Sequence, residues 1–326
     1  MNVADFWAPW EKKVASFDKA IEVIHGVFDT WSDRGSVFAW RGHVNASWPL
    51  HSSLYRRLAW TSTAATAPLE KSLDAKEGEI LVDVHRWGLH VGNQGRLAIL
   101  PQLAILQHYG APTRLIDVTF NPLIGLWFAV EEKWDNGALR DEDKDGRLFA
   151  IDVTKRLINE DDEKRSWEDE IRRPWPSPVH KASSGLTKAE HQTEFKRWQT
   201  STHAWRPSTL DGRIAAQNGG FVFGGVPSSS GPDGPLQWPK GTSPSDGMWK
   251  IDEVRQCTSL AMRVHKLDPG GGRAAGNAMY TLLIDAAAKA PIRKKLQDLY
   301  GYRHSTIYPD YTGFAQFGVP TLKSRP

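Results

Sequence analysis

The 326-residue chain predicts a single α+β domain, and three observations lead there. Helical and strand-like segments intermix without the regular alternation of a doubly wound fold. An apolar helix, LAILPQLAILQHY (97–109), stops at Gly110, passes Pro112 into a strand, TRLIDVT (113–119), and continues into a capped helix. Hydrophobic residues make up 40% of the chain and no internal repeat divides it, which is enough for one sizeable core.

At the N-terminus Phe6, Trp10, Val14, Phe17, Ile21, Ile24 and Phe28 recur at spacings of three and four. This predicts a helix over 5–31 and an N-terminal helical segment, 1–37, ahead of the main domain, 38–326. Asp33, Arg34 and Gly35 break the helix, and Val37 to Trp40 form a short strand that Gly42 is expected to end. Leu54 to Leu58 predict a short turn or helix, 61–67 a loop, and Glu70 to Trp87 a helix with Ile80, Leu81, Val84 and Trp87 on one face. Asn121 followed by Pro122 marks the start of the helix PLIGLWFAVEE. The amide oxygen accepts from free N–H groups of the first turn, and proline has no N–H to leave unpaired there.

GRLFAIDV (146–153) is a strand, and the charged, Trp- and Pro-rich stretch 156–208 is an insert with little periodicity. FVF (221–223) is a strand and 224–247 a Gly/Pro/Ser-rich surface loop. MYTLLID (279–285) is a strand, Pro291 to the Gly301 cap a helix, and YRHSTIYPDYTGFAQFG (302–318) a final strand and turn.

Composition excludes several classes. No apolar run approaches the length of a membrane span, and MNVADFWAPWEKK lacks the basic-then-apolar order of a secretion signal. Cys257 is the only cysteine, so an internal disulfide and a thiolate-rich metal site are ruled out and a cytoplasmic protein is expected. Residues 131–170 hold 15 acidic and 8 basic residues, a net of −7, which leaves +10 on the rest of a chain whose total is +3. That remainder suits anions such as phosphates or nucleic acid. GxGxxG, P-loop, HExxH and GxSxG motifs are absent, and His85 and His90 are too far apart for one helical face.

The chemistry-bearing signal is polar residues set in apolar elements. Arg41 ends the first strand, Gln107, His108 and Tyr109 end an apolar helix, and Thr113, Arg114, Asp117 and Thr119 interrupt a strand. Burying an unpaired guanidinium or carboxylate is costly, so these groups pair with each other, face a polar cleft, or both; Arg114 and Asp117 are the natural pair. Arg41 either holds a ligand or caps the carbonyls of the helix ending at Tyr109. Arg213 and Gln217, four apart, either form a local helical pair or belong to a site.

FAWRGHVNASWPLHSSLYRR (38–57) resembles the opening motif of FRG-domain proteins, an aromatic-Arg-Gly strand before a W-P-L-x-x-S-L-x-R segment. LAILQHYGAPTRLIDVTFNPLIGLWFAVEE (103–132) is similar to that family's QH-x-G-x-P-T-R-L-L-D-W-T-x-N-P-L block. RIAAQNGGFVFGG and the C-terminal YGYRHSTIYPDYTG resemble its later elements, in order, so the likeness spans 38–313.

The resemblance implies a central, split β-sheet flanked by helices, loosely like ADP-ribosyltransferases, whose first strand ends in Arg or His and whose second passes through a Thr into a helix. By that analogy the candidate catalytic residues are Arg41, His108, Asp117, Thr119 and Gln217, with Gly42, Tyr109, Arg114 and Arg213 binding cofactor. Gln217 stands where the analogy wants an acid, which Asp117, Glu79 or Asp310 would replace, Asp117 being favoured; Trp127 or Tyr109 would stack on nicotinamide. NAD would be the substrate, of an ADP-ribosyltransferase or NAD glycohydrolase, in a bacterial toxin or phage-defence setting with a nucleic-acid or protein target and an antitoxin or defence partner; neither a metal nor a membrane is expected. The alternatives are a nucleic-acid or polyanion-binding module, supported by Lys289, Arg293, Lys294 and Lys295 on one late helix, and a metal-dependent nuclease using Asp117.

Overall fold

The computed structural model describes residues 2–29, 36–62, 66–92, 95–135, 138–154, 156–158, 175–176, 178–179, 185–207, 212–231, 234–267 and 278–318. The break expected at 33–35, part of the loop 61–67 and most of the charged insert lie outside them. The first half is α1 (Val3–Trp7), β1 (Lys12–Val14), α2 (Phe17–Asp29), β2 (Phe38–His43), α3 (Ser53–Thr61), α4 (Glu70–Arg86), α5 (Ile99–His108), β3 (Ile116–Thr119) and α6 (Pro122–Val130). Then come β4 (Gly146–Asp152), β5 (Leu157–Ile158), α7 (Lys188–Gln199), β6 (Thr202–Trp205), α8 (Gly212–Ala216), β7 (Gly219–Gly224) and α9 (Ile251–Cys257). β8 (Arg263–Val264), β9 (Ala278–Ile284), α10 (Ala286–Tyr300), α11 (His304–Ile307) and α12 (Tyr311–Gly313) complete an α+β domain.

These nine strands form one mixed sheet in the order β1-β9-β4-β2-β3-β7-β6-β5, with β8 also on β9, and three short two-stranded hairpins stand apart from it among the described residues. β1 and β8 run parallel to β9, and β5 runs parallel to β6; the other neighbours are antiparallel. Strand β2 is held to β4 by six residue pairs, Phe38↔Asp152 through His43↔Arg147, but to β3 by the single pair Trp40↔Thr119. The sheet is therefore continuous, yet nearly split between β2 and β3. Phe38 and Trp40 point into a core shared with α2, α6 and α10, while Ala39 faces the opposite core with Phe6, Trp7, Phe149 and Ile151, as the two-residue side-chain period requires.

Helix α6 lies against the sheet at backbone contact. A Cβ on Gly42 would sit 2.4 Å from both the Ala129 nitrogen and the Gly125 oxygen, and one on Gly146 would sit 2.4 Å from the Ala129 oxygen. Gly42 thus does not end its strand, which continues to His43; it is the position where the helix crosses. Asn121 caps α6 as expected, its Oδ1 accepting from Leu123 N at 2.9 Å.

Three elements differ from the sequence expectation. The helix foreseen over 5–31 is two helices with β1 between them. Pro9 has no N–H and its ring crowds the preceding turn, and Val14, whose spacing fits a helix face, pairs instead with Ile284. Helix α10 begins at Ala286, ahead of Pro291, not at it. The segment 302–318 is helical throughout its ordered turns, not a strand, because Ile307 and Tyr308 both enter the α2–α6–α10 core. Successive residues of a strand would point to opposite faces.

Since the neighbours of Gly42 are backbone atoms that cannot rotate away, Gly42→Ala is expected to destabilise the fold by about 3 kcal/mol. Urea unfolding of the variant against the wild type checks this, and an unchanged midpoint would contradict the crossing geometry.

Candidate functional site

Arg41 sits at the near-split in the sheet. The antiparallel register that pairs Trp40 with Thr119 would next pair Gly42 with Asp117, but the strands diverge there and the Arg41 side chain spans the gap. Its Nη1 donates to the Asp117 carbonyl at 2.9 Å and lies 3.7 Å from the Asp117 carboxylate. With side-chain exposures of 30% and 58%, that ion pair is weak, and the Arg41 Nε is buried without a partner. The guanidinium therefore closes a sheet seam with one nitrogen and keeps hydrogen-bonding capacity with another.

A cleft of about 680 Å³ opens beside it, lined by Arg41, Arg56 and Arg255 and by the rings of Trp48, Tyr55 and Trp60. His43, His51, Thr66 and Gln256 complete the polar lining, and no carboxylate is among the described lining residues. Ser52 caps α3, its Oγ accepting from Tyr55 N at 3.2 Å, so the LHSSLYRR segment presents Tyr55 and Arg56 from a rigid first turn. Arg56 Nη1 donates to the His51 carbonyl at 2.8 Å; burial and then the nearby Arg41 charge pull its pKa below the ordinary arginine value. Arg255 arrives from the last turn of α9, oriented by its Nε donating to the Pro227 carbonyl at 2.8 Å and by Asp252 at 3.2 Å. Burial, then Arg41, holds His43 well below the usual imidazole range, and burial lowers His51 to about 4. At neutral pH the cleft thus carries three guanidinium charges and two uncharged imidazoles.

The remaining expected site residues are dispersed. Arg114 does not pair with Asp117: it is buried, its Nε donating to the two Glu77 oxygens at 2.8 and 3.0 Å and its Nη1 to Glu70 Oε1 at 3.1 Å, over the rings of Trp175 and Trp198 at 4.6 and 5.5 Å. Burial opposes that charge, but Glu77 and then Glu70 outweigh it and raise the pKa. Thr119 is buried and donates to the Gln217 carbonyl at 2.7 Å, while the Gln217 side chain donates to the Ile307 carbonyl at 2.9 Å, so the two tie β3, α8 and α11 together. Arg213 stacks over Tyr308 at 4.6 Å and lies 3.8 Å from Asp310. His108 and Tyr109 meet edge to face at the end of α5, with Tyr109 81% exposed. Trp127 is wholly buried in the core, edge to face with His304 at 5.6 Å. Glu79 pairs with Lys76 on the exposed side of α4.

Two further readings change. The helix ending at Tyr109 is closed by Arg57, whose Nη2 donates to the Gly110 carbonyl at 3.1 Å, and not by Arg41. The cations of α10 are already engaged: Lys289 donates to the Val44, Asp141 and Lys144 carbonyls, Arg293 pairs with Glu142, Lys294 with Asp298 and Lys295 with Asp18. His85 and His90, too far apart for one helical turn, stack with ring centroids 4.2 Å apart because the chain reverses after Gly88, whose φ is +72°. Among the described residues no group of three or more His, Cys, Asp or Glu is placed to hold a metal ion, and no helix is long and apolar enough to cross a membrane. The sequence reading missed His43, Trp48, His51, Tyr55, Arg56 and Trp60, which all lie at or next to the aromatic-Arg-Gly and W-P-L segment; Arg255 carried no local signal at all.

Two outcomes follow from these environments. Arg114→Met leaves Glu70 and Glu77 buried without their cation and is expected to cost about 3–5 kcal/mol, whereas Asp117→Asn, at an exposed pair, costs at most about 1 kcal/mol; paired urea titrations distinguish the two. The unfolded chain protonates His51 at the usual 6.5 and the folded chain only near 4, so the unfolded state binds more protons between those values. Stability contributed by neutral His51 is complete above pH 6.5 and declines as pH falls toward 4, by an amount on the order of 3 kcal/mol. Thermal midpoints across that range are expected to fall less steeply in His51→Gln, and equal slopes would refute the assignment.

Residues 36–137 match the family model of the FRG domain, a span that holds Arg41, Gly42, the whole of α3, Arg114 and Asp117. No curated protein and no solved structure matches the chain. The aromatic-Arg-Gly strand that builds the seam and one wall of the cleft lies inside the matched span, and residues 36–137 of the chain carry an FRG domain.

Proposed function

We propose that the Arg41 cleft binds a nucleotide through its phosphates, and that NAD is the nucleotide it takes. One observation carries the reading: Arg41, Arg56 and Arg255 converge on a cavity whose described lining has no carboxylate and whose remaining walls include Trp48, Tyr55 and Trp60. Like charges held that close repel, as the lowered Arg56 pKa reflects, and a diphosphate relieves the repulsion while accepting charge-assisted hydrogen bonds. The Arg41 side chain is 30% exposed and held only by one carbonyl and a long ion pair, so its guanidinium is free to take such an oxygen. Trp60, 75% exposed, and the half-exposed Trp48 offer flat faces for a base or nicotinamide ring.

Asp117 is the acid in contact with Arg41 and is solvent-exposed at the seam, which suits it to stabilise an oxocarbenium-like ribose. In that step the C1′–N1 bond breaks and its electron pair leaves with nicotinamide. A water or acceptor hydroxyl oxygen forms the new C1′–O bond and gives up its proton. Calorimetric titration with NAD and ADP-ribose, together with chromatography of released nicotinamide, tests both parts. Arg56→Ala is expected to weaken binding roughly tenfold or more, and Asp117→Asn to retain binding while losing release. Absence of saturable binding of either ligand to the wild type would overturn the proposal.

A further inference from the structure

A second concavity, of about 410 Å³, shares no lining residue with the Arg41 cleft. Its walls include the rings of Phe6, Trp10 and Trp238 and the thioether of Met248, and Gln237, Arg263 and His265 supply its polar side chains. The frame is rigid. Trp238 Nε1 donates to the Met262 carbonyl at 3.1 Å, Trp249 N donates to the Trp238 carbonyl at 2.8 Å, and His265 N donates to the Met279 carbonyl at 3.0 Å beside strand β9. Lys240 covers the outer face of the same turn, its Nζ 4.8 Å above the Trp249 ring. Nothing in the reading of the Arg41 cleft uses this site.

The chemistry of the lining selects a ligand class. Three aromatic rings and a methionine favour a flat unsaturated face, since ring edges and a polarisable sulfur pack well on it. The His265 Nε2 is buried without a partner; in the tautomer that carries the proton there it is a donor whose desolvation cost a ligand oxygen removes. Burial and the neighbouring Arg263 hold that imidazole below its usual range, so it acts as a neutral group beside a single cation. Arg263 is exposed and has no carboxylate within ion-pair distance among the described residues. The guanidinium and the ring nitrogen match the two oxygens of a carboxylate, with the exposed Gln237 amide beside them; a phosphate dianion would bring a second charge with only one lining cation to meet it, and a neutral arene would leave the Nε2 unsatisfied.

We propose that this pocket is a binding site for a small planar aromatic carboxylate. The ring lies among Phe6, Trp10, Trp238 and Met248, and the carboxylate faces Arg263 and His265. Calorimetry of the full chain with indole-3-carboxylate, and with indole as the uncharged control, tests it. Saturable one-site binding of the acid is expected, with indole much weaker. Arg263→Gln and His265→Phe are each expected to weaken the acid roughly ten- to hundredfold, with little effect on indole. Met248 is exposed, so Met248→Trp should preserve the thermal midpoint while filling the pocket and abolishing binding. Arg41→Ala should leave this affinity unchanged even where it abolishes NAD binding, which keeps the two proposals separable. No saturable binding of the acid to the wild type, or undiminished binding in Met248→Trp, would overturn the assignment.

Discussion

Helix α6 rests on strands β2 and β4 at backbone distance, and that approach positions everything around the Arg41 cleft. Glycine at 42, 125 and 146 removes the side chains that would hold the layers apart. With β2 clamped from below and paired along its length with β4, its other edge is free to leave β3 after one residue pair. The resulting gap is where the Arg41 side chain lies. A β2 free to shift would close the gap by pairing Gly42 with Asp117, and the guanidinium would lose both its backbone acceptor and its place in the cleft wall. The glycine of the aromatic-Arg-Gly motif and its arginine therefore serve one arrangement from opposite faces of the same strand.

The block around QHYGAPTR does the complementary job on the other side of the seam. Thr113 N accepts no freedom there: it donates to Ser53 Oγ at 3.0 Å, while Leu54 N donates to the Thr113 carbonyl at 2.9 Å, which fastens the start of α3 to the strand entry. Arg57 closes the end of α5 from the same helix, and Arg56, one residue before it, points into the cleft. Adjacent arginines on one helix thus divide between architecture and the cavity. What appears in sequence as two separate motifs is a single latch, in which α3 is held at its start by Thr113 and at its middle by Arg57, with Tyr55 and Arg56 between them lining the site.

Much of the fold was legible because local chemistry and tertiary structure agree over these elements. The Asn121-Pro122 start, the Gly110 and Gly301 stops and the apolar strands 146–152 and 278–284 need no distant partner to be recognised. The misread segments are those where a long-range contact overrides a local pattern. Val14 satisfies a helical spacing but is taken by β9, and Gly42 reads as a strand end until a helix is seen to cross it. The site was half legible for the same reason. Arg41 announces itself as a charge in an apolar strand, whereas Arg255 is an ordinary helical arginine until the fold brings α9 beside α3. Arg114 and Asp117, three apart on one extended segment, point to different faces, so the pairing suggested by proximity in sequence fails and each finds its partner on another element.

The contrast between Arg114 and Arg41 separates holding a fold from holding a ligand. Both are guanidiniums set in apolar strand segments, and on desolvation alone both would be costly. Arg114 is enclosed by two carboxylates and two indole rings, so its charge is matched twice over, and its one unpartnered nitrogen, Nη2, is buried away from solvent with the rest of the side chain. Arg41 has one long, half-exposed ion pair, one backbone acceptor, an unpartnered Nε and a second guanidinium close enough to depress its neighbour's pKa. Electrostatic energy is left unsatisfied at Arg41 and Arg56, and it is left at the mouth of an aromatic-walled cavity, not inside the core. The carboxylates beside these arginines, Asp117 at Arg41 and Asp252 at Arg255, stand outside the described lining, so the wall the cavity presents is guanidinium and aromatic ring.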